Sequence, residues 1–563
     1  MLRFRARTAA ATLVASTALA LTLKGQTLGG SPPLQIQNVG LPAVEELGAV
    51  WSESRVPWTL QARALRAASV EQTRAGVSGR SYATGRVIVR FRDSASAEER
   101  RRVLREASSS GEFAERPAYA DFDLVRIDPT EDAEAVARGL NGHPQVLYAQ
   151  AAYRVHPTFV PNDPQYADLQ WNLRLVNMEK AWDIQPQAGS AITVAVIDTG
   201  VAYQAATFSA NLRGFTNAGV RYPALGVQTI PYAAAPQLVG GSGSGRIVAP
   251  YDVISRGLNP PLDFEGHGTH VSGTIGQLTN DGIGLAGVAF NVKLMPVKVL
   301  GGFWDVLFGT APFEGGSDDD VATGIRYAAD QGAKIINMSL GSSGPADCGA
   351  TPNQFGCSPA IESAMRYAVG KGVFIVVAGG NEFEDFVPPF GSNPTSVLAE
   401  IASRIPGAVA VASVDPSKSR AYYSSTGKYI EIAAPGGTSR GFGRGGFVFQ
   451  QTFDFTLVET FDPSIVPPSQ YRAPRFDVLV SIGYTGTSMA APHVAGIAAM
   501  LMQQGITDPA AIEEALEKSA LPLGSAGSDQ CPAGTSAVAP RTCSFGYGLV
   551  DARNALRGLG LAR

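Results

Sequence analysis

The hydrophobic and polar positions between residues 81 and 157 follow the pattern of a small α+β unit. Apolar and polar residues alternate in three segments, as they do in half-buried strands. Two charged segments between them, rich in Glu and Arg, are typical of solvent-exposed helices. The predicted strands cover residues 86–91, 122–127 and 146–150, and the predicted helices cover residues 95–107 and 131–140.

From residue 158 the pattern changes to continuous apolar runs separated by helical segments. Such runs indicate strands buried on both faces, as in a parallel sheet covered by helices. The runs occupy residues 193–197, 292–300, 335–340, 373–377, 408–414 and 430–433, and helical patterns occupy residues 318–330 and 359–369. Residues 158–563 are therefore predicted to form an α/β domain, a three-layer sandwich with a mainly parallel central sheet. Two Gly- and Pro-rich stretches, residues 203–262 and 437–480, are interpreted as insertions at its rim.

The composition is that of a large globular protein. Of its 563 residues 45% are hydrophobic and 17% are charged, and the chain exceeds the length of one typical domain. The net charge of −4 gives no indication of a nucleic-acid partner, and no basic stripe interrupts the sequence.

The first residues are typical of an export signal. A basic segment at residues 2–7 precedes an uncharged, Ala- and Leu-rich stretch at residues 8–23, and Ala18-Leu19-Ala20 offers a cleavage site. The alternative is an uncleaved membrane anchor, but the apolar stretch is shorter than the ~20 residues that a spanning helix needs. We predict a signal peptide at residues 1–23, a leader or linker at residues 24–80, and no membrane attachment after cleavage.

The chain contains four cysteines, which are Cys348, Cys357, Cys531 and Cys543. Four cysteines allow three pairings, and their clustering along the chain favours Cys348–Cys357 and Cys531–Cys543. Export makes disulfides chemically reasonable. A zinc site is the competing interpretation, but these cysteines form no CxxC pair and have no histidine nearby.

The sequence Gly-Thr-Ser-Met-Ala-Ala-Pro-His at residues 486–493 carries the strongest candidate for chemistry. Ser488 precedes a small, apolar segment that is typical of a buried helix, and Pro492 is expected in the first turn of that helix. The free N–H groups and the positive dipole end of a helix stabilise negative charge. Ser488 is therefore a candidate nucleophile, although a serine in such a place is more commonly a helix N-cap.

Three other segments carry polar residues where α/β folds place their sites. Asp198 ends one apolar run and Asn381 follows another, so both lie at the carboxyl ends of predicted strands. His267 begins a small-residue helix within Gly-His-Gly-Thr-His. Taken alone, each has an ordinary structural explanation, as a helix cap, a turn residue or a loop residue respectively. The His-Gly-Thr-His spacing lacks the geometry of zinc peptidase motifs, which argues against a metal site.

Taken together, Asp198, His267 and Ser488 follow the chain order of the catalytic residues in subtilisin. Motifs scattered over residues 160–555 make the chain resemble a subtilisin-family serine protease. The motifs are Val-Ile-Asp198-Thr-Gly, Gly-His267-Gly-Thr-His-Val-Ser-Gly-Thr, Asn337-Met-Ser-Leu-Gly341, Ala-Gly-Gly-Asn381-Glu, Gly-Thr-Ser488-Met-Ala-Ala-Pro-His and Gly546-Tyr-Gly-Leu-Val-Asp551-Ala. The resemblance implies a secreted endopeptidase that acts on protein or peptide substrates and requires no cofactor for its chemistry.

The resemblance also implies a role for each polar residue of these motifs. Ser488 would attack the scissile carbonyl, His267 would act first as general base and then as general acid, and Asp198 would orient the imidazole. Asn381 and the backbone N–H of Ser488 would form the oxyanion hole.

The substrate-binding residues that the resemblance implies lie on two segments. The substrate backbone would pair, as an added strand, with an exposed edge of the domain. This edge and the neighbouring segment comprise Ser339, Leu340, Gly341, Ala378, Gly379 and Gly380. Glu382 is interpreted as a rim residue beside the first specificity pocket, and His270 and His493 as structural residues.

The small unit at residues 81–157 resembles the propeptide domain of this family, which has a ferredoxin-like fold and acts as folding chaperone and inhibitor. It lies directly before Asn162-Asp163-Pro164, which is similar to the start of a mature enzyme. The resemblance therefore implies a zymogen that cuts itself between residues 155 and 162 and leaves a mature monomer that begins near Pro161.

The sequence departs from the family near its calcium-binding positions. Asp198 and His267 are 69 residues apart, wider than in compact members, and the expected acidic ligand falls near Ala206, which cannot bind a cation through its side chain. The loop at residues 278–284 still resembles the family's calcium loop. Its candidate ligands are Leu278, Asn280 and Ile283. A solvent-exposed turn explains the loop nearly as well, so structural calcium is one of two open interpretations.

Two further hypotheses stand beside a broadly acting secreted endopeptidase. A catalytically silent homologue would bind peptides, but such proteins commonly lack one of the four site residues, and all four are present here. A maturation protease of narrow specificity would use the two insertions to restrict access to the cleft.

Overall fold

The computed structural model of the protein describes residues 82–557, except for residues 115, 118, 154–158, 218, 241–244, 345–357, 385, 388–390, 525–528 and 533–535. The predicted signal peptide, the predicted leader and the predicted Cys348–Cys357 disulfide lie outside the described residues. The described residues belong to two compact units, which meet in sequence at residues 157 and 158.

The first unit is a four-stranded antiparallel sheet with two helices. Its elements are β1 (Tyr82–Phe91), α1 (Ala97–Ala107), β2 (Glu112–Phe113), β3 (Asp123–Arg126), α2 (Ala133–Asn141) and β4 (Val146–Tyr153), and the strand order is β2-β3-β1-β4. Ser96 and Glu99 form a capping box that begins α1. Val87, Val89 and Leu140 are fully buried in a core of its own. The predicted α+β fold of this segment is confirmed.

The second unit is built around a seven-stranded parallel sheet. Its strands are β5 (Thr193–Asp198), β6 (Ala206–Leu212), β7 (Phe215–Asn217), β8 (Val220–Tyr222), β9 (Gly226–Tyr232), β10 (Tyr251–Asp252), β11 (Lys293–Lys298), β12 (Ile335–Met338), β13 (Ser343–Gly344), β14 (Phe374–Ala378), β15 (Phe386–Val387), β16 (Gly391–Ser392), β17 (Thr395–Ser396), β18 (Ala408–Val414), β19 (Ile432–Pro435), β20 (Val448–Phe453) and β21 (Leu479–Tyr484). The central sheet has the order β10-β11-β5-β12-β14-β18-β19, and every neighbouring pair in it is parallel.

The helices of this unit lie between and around these strands. They are α3 (Tyr166–Leu169), α4 (Trp171–Leu175), α5 (Met178–Ile184), α6 (Pro236–Val239), α7 (His267–Gly276), α8 (Phe303–Phe308), α9 (Asp318–Asp330), α10 (Pro359–Gly370), α11 (Val397–Ala402), α12 (Phe455–Val458), α13 (Thr487–Gln503), α14 (Pro509–Ser519) and α15 (Ala552–Leu556). The predicted α/β fold is confirmed, and its helical segments at α9 and α10 agree with the sequence pattern.

Two pairs of helices cover opposite faces of the central sheet. Gly276 brings α7 against Leu294, whereas Gly324 brings α9 against Val297 of the same strand. Residues 294 and 297 are an odd number of positions apart, so their side chains point to opposite faces. Helix α13 packs with α7, and helix α10 packs with α9. This layering is the predicted sandwich, and it buries the strands on both faces.

Most of each predicted insertion forms a hairpin outside the central sheet. The interpretation of residues 203–262 as an insertion throughout is wrong at its end, because β10 lies within it and pairs with β11 at the edge of the central sheet. Strands β6 and β9 pair antiparallel with β7 and β8 between them in sequence, and β20 pairs antiparallel with β21. The insertions contact each other where the N–H of Phe476 donates to the carbonyl of Pro231 and the N–H of Ala233 donates to the carbonyl of Phe476, both at 3.0 Å. Aromatic rings of both insertions pack together there, among them Tyr232, Phe264, Phe453 and Phe476. The two insertions therefore stabilise each other.

The C-terminal segment is closed by a disulfide. Cys531 and Cys543 are joined with an S–S distance of 1.99 Å, which confirms the predicted pair. In the part of the chain that the structure describes, no helix combines the length and the apolar character needed to cross a membrane.

Candidate active site

Asp198 and His267 form a hydrogen-bonded pair at the carboxyl edge of the central sheet. Asp198 is the last residue of β5 and is fully buried, and His267 is the first residue of α7. Nδ1 of His267 lies 2.8 Å from Oδ1 of Asp198, which also accepts from the N–H of Thr199 at 2.7 Å. Because an ionised carboxylate only accepts, the pair fixes the proton on Nδ1 and leaves Nε2 free to act as a base.

The carboxylate of Asp263 holds the start of helix α7. It accepts from two backbone N–H groups just before the helix, and from both the N–H and the hydroxyl of Thr269. Thr199, next to Asp198, donates its hydroxyl to the same carboxylate at 3.0 Å. These bonds tie the helix that carries His267 to the strand that carries Asp198. The sequence analysis missed Asp263, although an aspartate shortly before a helix is a capping signal.

Two glycines flank His267 for steric reasons. Gly266 has a φ of 105°, in the left-handed region that favours glycine. A Cβ on Gly268 would lie 2.1 Å from the carbonyl oxygen of Gly200. A larger residue at either position would therefore displace His267 from Asp198.

The charges around His267 decide when its ring is neutral. Burial lowers the pKa of His267, but the charge and hydrogen bond of Asp198 and the charges of Glu265 and Asp263 outweigh burial, so the pKa is raised to about 9. The neutral imidazole, which can accept a proton, therefore predominates only in alkaline solution.

Ser488 lies in the first turn of α13 and is hydrogen-bonded to Ser339. Its Oγ donates to the carbonyl of Ser339 at 3.1 Å, and the Oγ of Ser339 donates to the carbonyl of Ser488 at 2.8 Å. Pro492 is the sixth residue of α13, not a residue of its first turn as the sequence predicted, because the helix begins at Thr487. Proline has no N–H for the carbonyl four residues earlier, and the Ser339 hydroxyl supplies the missing bond.

Asn381 follows β14 and faces the start of α13. Its Oδ1 accepts from the N–H and the hydroxyl of Thr487, at 2.8 Å and 2.9 Å. This bonding fixes the orientation of the amide and leaves its Nδ2 as a donor toward the Ser488 side. Glu382 holds the backbone of the same segment, since its Oε2 accepts from the N–H of Asn381 at 2.8 Å and from Ser425 Oγ at 3.2 Å.

His267, Asn381 and Ser488 line one cleft, with Asp198 buried behind the histidine. Of the predicted substrate-binding residues, Ser339, Leu340, Gly341, Ala378 and Gly380 line this cleft. Gly379 is not among the lining residues, because it packs inward, where a Cβ would lie 2.8 Å from Ile430 Cδ1 and from the Val411 carbonyl. The sequence analysis missed several other lining residues, which are Thr199, Glu265, Leu300, Ser342, Ser396 and Thr487.

The other histidines of the two motifs are buried within the protein. His270 places Nε2 3.1 Å from the carbonyl of Ile482 and stacks on Tyr484, and burial lowers its pKa to about 3. His493 bonds through Nδ1 to the carbonyl of Met489 at 2.8 Å, and burial lowers its pKa to about 4. Both rings are fully buried and lie within hydrogen-bond distance of backbone carbonyls, as expected of structural residues.

The loop at residues 278–284 gathers oxygen donors that the sequence analysis only partly found. The N–H of Asn280 donates to Asp163 Oδ2 at 2.7 Å, and Nε2 of Gln237 donates to Asp281 Oδ2 at 3.0 Å. Asp163 and Gln237 are buried, and among the described residues Asp163 Oδ1 and Gln237 Oε1 have no hydrogen-bond partner. The sequence placed the family's ligand that follows the Asp198 motif near Ala206. In the structure, the residue downstream of Asp198 whose side chain contacts this loop is Gln237.

The reason for this difference is the first insertion. Ala206 begins strand β6 of the hairpin. The chain approaches the loop at residues 278–284 only after β9, at helix α6, which contains Gln237. Two carboxylates and two amide oxygens near one loop are the donors that Ca²⁺ prefers, so the residues present fit this cation.

A serine beside an Asp–His pair in an α/β sandwich places the protein among the serine hydrolases. The match to known families is more specific. The model of the subtilase family matches residues 189–549, and that of the fervidolysin N-terminal prodomain matches residues 68–151. The chain belongs to the subtilase family, and it is a serine protease with an N-terminal prodomain.

The chain is also similar to individual proteins, among them two proteases and one solved structure. The chain is 29% identical over 440 residues to the thermophilic serine proteinase of Bacillus sp. (strain AK1), covering 78% of this chain and 83% of that protein. It is 30% identical over 431 residues to the extracellular protease of Xanthomonas campestris pv. campestris, covering 73% of this chain and 62% of that protein. The crystal structure of fervidolysin from Fervidobacterium pennivorans, a keratinolytic enzyme related to subtilisin, is 23% identical with a TM-score of 0.45, covering 85% of this chain and 61% of that one.

Proposed function

We propose that the protein is a secreted, self-processing endopeptidase in which Ser488, His267 and Asp198 perform acyl transfer. The observation that carries the proposal is the 2.8 Å Asp198–His267 bond at a cleft that Ser488 also lines. His267 Nε2 takes the proton of Ser488 Oγ as that oxygen attacks the scissile carbonyl, and it then returns the proton to the leaving amine. Water repeats the sequence to release the acyl group.

The substrate itself would free the nucleophile. Without substrate, the Ser339 carbonyl accepts from Ser488 Oγ. A peptide strand paired with Ser339, Leu340 and Gly341 would donate one of its own N–H groups to that carbonyl. Once that carbonyl is occupied, Ser488 Oγ turns toward His267. Nδ2 of Asn381 and the N–H of Ser488, at the positive end of α13, would stabilise the oxyanion.

The test compares wild-type protein with Ser488→Ala and with Ser417→Ala, which alters an exposed serine in a surface turn. A phosphonate or sulfonyl fluoride is expected to label the wild type and Ser417→Ala, but not Ser488→Ala. If the wild type is not labelled and cleaves no peptide, the chain is a catalytically silent homologue that binds peptides.

The prodomain supports synthesis as a zymogen, and the predicted export signal supports secretion. We assign residues 1–23 to a signal peptide, 24–80 to a leader, 81–157 to the propeptide inhibitor and 158–563 to the catalytic domain, which acts as a monomer. Self-cleavage between residues 155 and 162 would yield a mature enzyme that begins near Pro161. Intact mass of the precursor tests this, since wild type should lose the residues before the cut and Ser488→Ala should stay full length. Maturation of purified Ser488→Ala would refute self-processing.

The loop at residues 278–284 is proposed to hold a structural calcium ion. The ligands that the family resemblance implies are Leu278, Asn280 and Ile283, and Asp163 and Gln237 would add side-chain oxygens. Asp163 Oδ1 and Gln237 Oε1, which have no hydrogen-bond partner among the described residues, support this assignment. The ion would stabilise the start of the mature chain against the loop and would take no part in the chemistry.

A further inference from the structure

Glu265 brings a carboxylate into the substrate cleft beside the general base. It lies two residues before His267, and its Oε2 accepts from the N–H of His267 at 2.9 Å. The residue is half-buried and lines the cleft together with His267, Leu300 and Ser488. The bond to His267 occupies one lone pair of Oε2, which leaves the other lone pairs of the carboxylate able to accept from a bound substrate.

The charges around Glu265 are mainly negative. Glu459 directly follows the short helix α12 of the second insertion, whose last residue, Val458, accepts from Trp304 Nε1 at 2.8 Å. Gly302, two residues before Trp304, packs against Glu265, since a Cβ on it would lie 3.1 Å from Glu265 Cβ. Burial and the charge of Glu265 raise the pKa of Glu459 to about 7. Burial raises the pKa of Glu265 to about 7 as well, and the charges of Asp263 and Asp198 contribute while that of His267 opposes them. Lys298 is the nearby buried cation, and its ammonium is bound to Asp305. Among the described residues, neither Glu265 nor Glu459 forms an ion pair.

The alternation of side chains along a strand decides which part of a substrate would meet Glu265. A peptide paired with the edge at Ser339–Gly341 points successive side chains to opposite sides. The side chain of the residue whose carbonyl is attacked would lie toward Gly380 and Ser396, which are neighbours in the cleft lining. The side chain of the preceding residue would then lie toward His267 and Glu265, which are joined by a hydrogen bond, and toward Leu300 of the same cleft.

We propose that Glu265, reinforced by Glu459, selects substrates with Lys or Arg immediately before the residue whose carbonyl Ser488 attacks. This inference rests on the proposed function of that same cleft. The aliphatic stem of the substrate side chain would lie on Leu300, which is buried apart from its cleft face, and its charged end would pair with the Glu265 carboxylate. The second insertion, which carries Glu459, would thereby take part in choosing substrates through the charge of Glu265, although Glu459 itself does not line the cleft.

The test uses three fluorogenic peptides that differ only at this position, which is Lys, Ala or Glu. Wild-type kcat/KM is expected to be about tenfold higher for the Lys peptide than for the Ala peptide, and lower still for the Glu peptide. Glu265→Gln keeps a hydrogen-bond acceptor for the His267 N–H but removes the charge, so it should bring the ratio of kcat/KM for the Lys peptide to that for the Ala peptide close to one, whatever it does to the absolute rates. Glu459→Gln should reduce the ratio partly. Glu362→Gln, on the outer helix α10, should leave it unchanged.

The ratio also has an expected pH dependence, because the two peptides share the same general base and its titration cancels. The Lys preference should grow as the pH rises through about 7 in wild type, since Glu265 then becomes ionised, and should be flat in Glu265→Gln. A wild type that cleaves all three peptides equally overturns the inference and leaves the protease intact. Loss of all three activities alike in Glu265→Gln, with a normal circular dichroism spectrum, would reduce Glu265 to a positioning residue for His267. Failure of the wild type to cleave any peptide would instead contradict the proposed function.

Discussion

The hydroxyl of Ser339 donates a 2.8 Å hydrogen bond to the backbone carbonyl of Ser488. In an uninterrupted helix this carbonyl would accept from the residue four positions later, but that residue is Pro492. Asn337 Nδ2 in turn donates to Ser339 Oγ at 3.0 Å, so the hydroxyl is held from both sides. The substrate edge and the nucleophile helix are therefore joined at the residue that carries the nucleophile.

Removal of this hydroxyl is expected to affect both stability and turnover. Ser339→Ala leaves the Ser488 carbonyl without its donor, which costs about 1–3 kcal/mol for a buried polar group. The melting temperature should fall, and kcat/KM should fall about tenfold because the start of α13 is less well held. Calorimetry on the inactive Ser488→Ala background measures stability without self-digestion, and peptide hydrolysis measures turnover.

Pro492→Ala supplies the control, because alanine restores the N–H that can bond to the Ser488 carbonyl. In the Pro492→Ala background, Ser339→Ala should cost less than it does alone, and the double-mutant cycle gives the difference. Strictly additive effects would show that the Ser339 hydroxyl does not compensate for the proline.

The charges around His267 predict an enzyme that works best in alkaline solution. Since the pKa of His267 is raised to about 9 and the base must be neutral, kcat/KM for a neutral peptide should fall about tenfold per pH unit below pH 9. The charge of Glu265 contributes to the raised pKa of His267. In Glu265→Gln the fall of kcat/KM toward acidic pH should therefore begin at a lower pH than in wild type. A stopped assay at constant ionic strength from pH 6 to 10 measures both profiles. Coincident profiles would mean that Glu265 does not act on the imidazole.

The polar residues of the site could be predicted from the local sequence because each lies at the end of a strand or the start of a helix. Asp198, His267, Asn381 and Ser488 needed only the α/β pattern and short motifs to be singled out. Glu265 was missed because its importance depends on the folded cleft and on Glu459, which is distant in sequence. Gly379, unlike Ala378 and Gly380, does not line the cleft and packs against Ile430 and Val411, so its contact with substrate stays a prediction.

Insertions were the second source of difference between sequence and structure. The length of residues 203–262 indicated an insertion. It did not indicate that Gln237, which follows the hairpin of that insertion, would be the residue that contacts the loop at residues 278–284. Its packing on the second insertion depends on aromatic contacts between segments that are far apart along the chain, and hydrophobic periodicity does not report such contacts.

A buried group of carboxyls at the end of the sheet predicts lower stability at alkaline pH. Carboxylate oxygens of Glu431, Glu513 and Glu517 lie within 4.8 Å of one another. Burial and the charge of Glu513 raise the pKa of Glu431 to about 8, against the opposing charge of Arg541. The unfolded chain releases this proton at its ordinary lower pKa, so stability falls as the pH rises toward 8 and then levels off.

Glu431→Gln should therefore gain stability over its parent as the pH rises, by about 1 kcal/mol or more at pH 9 and by little at pH 5. The amide oxygen can still accept from the N–H of Ala410, which now bonds to Glu431 at 3.0 Å. Urea unfolding in the Ser488→Ala background measures the difference, and Glu362→Gln, which alters a half-buried glutamate paired with Arg366 on helix α10, is the control. A gain that is the same at pH 5 and pH 9 would exclude ionisation of Glu431 as its cause.

The loop at residues 278–284 predicts a response to calcium that depends on Asp163. Burial raises the pKa of the Asp163 carboxyl, and the charge of Asp281 raises it further, whereas hydrogen bonds from the backbone N–H groups of Asn280 and Asp281 lower it. A divalent cation would relieve the repulsion between the Asp163 and Asp281 carboxylates. At a calcium concentration of 100 times Kd, binding to the folded state alone would add about 2.7 kcal/mol of stability. Calorimetry of the Ser488→Ala protein should therefore show a lower melting temperature in chelator than in calcium.

Asp163→Asn should abolish that difference, whereas Asp168→Asn, which alters an exposed aspartate five residues away, should retain it. Equal melting temperatures of the parent with and without calcium would show that the loop is held by protein contacts, among them the Gln237–Asp281 hydrogen bond, and not by an ion.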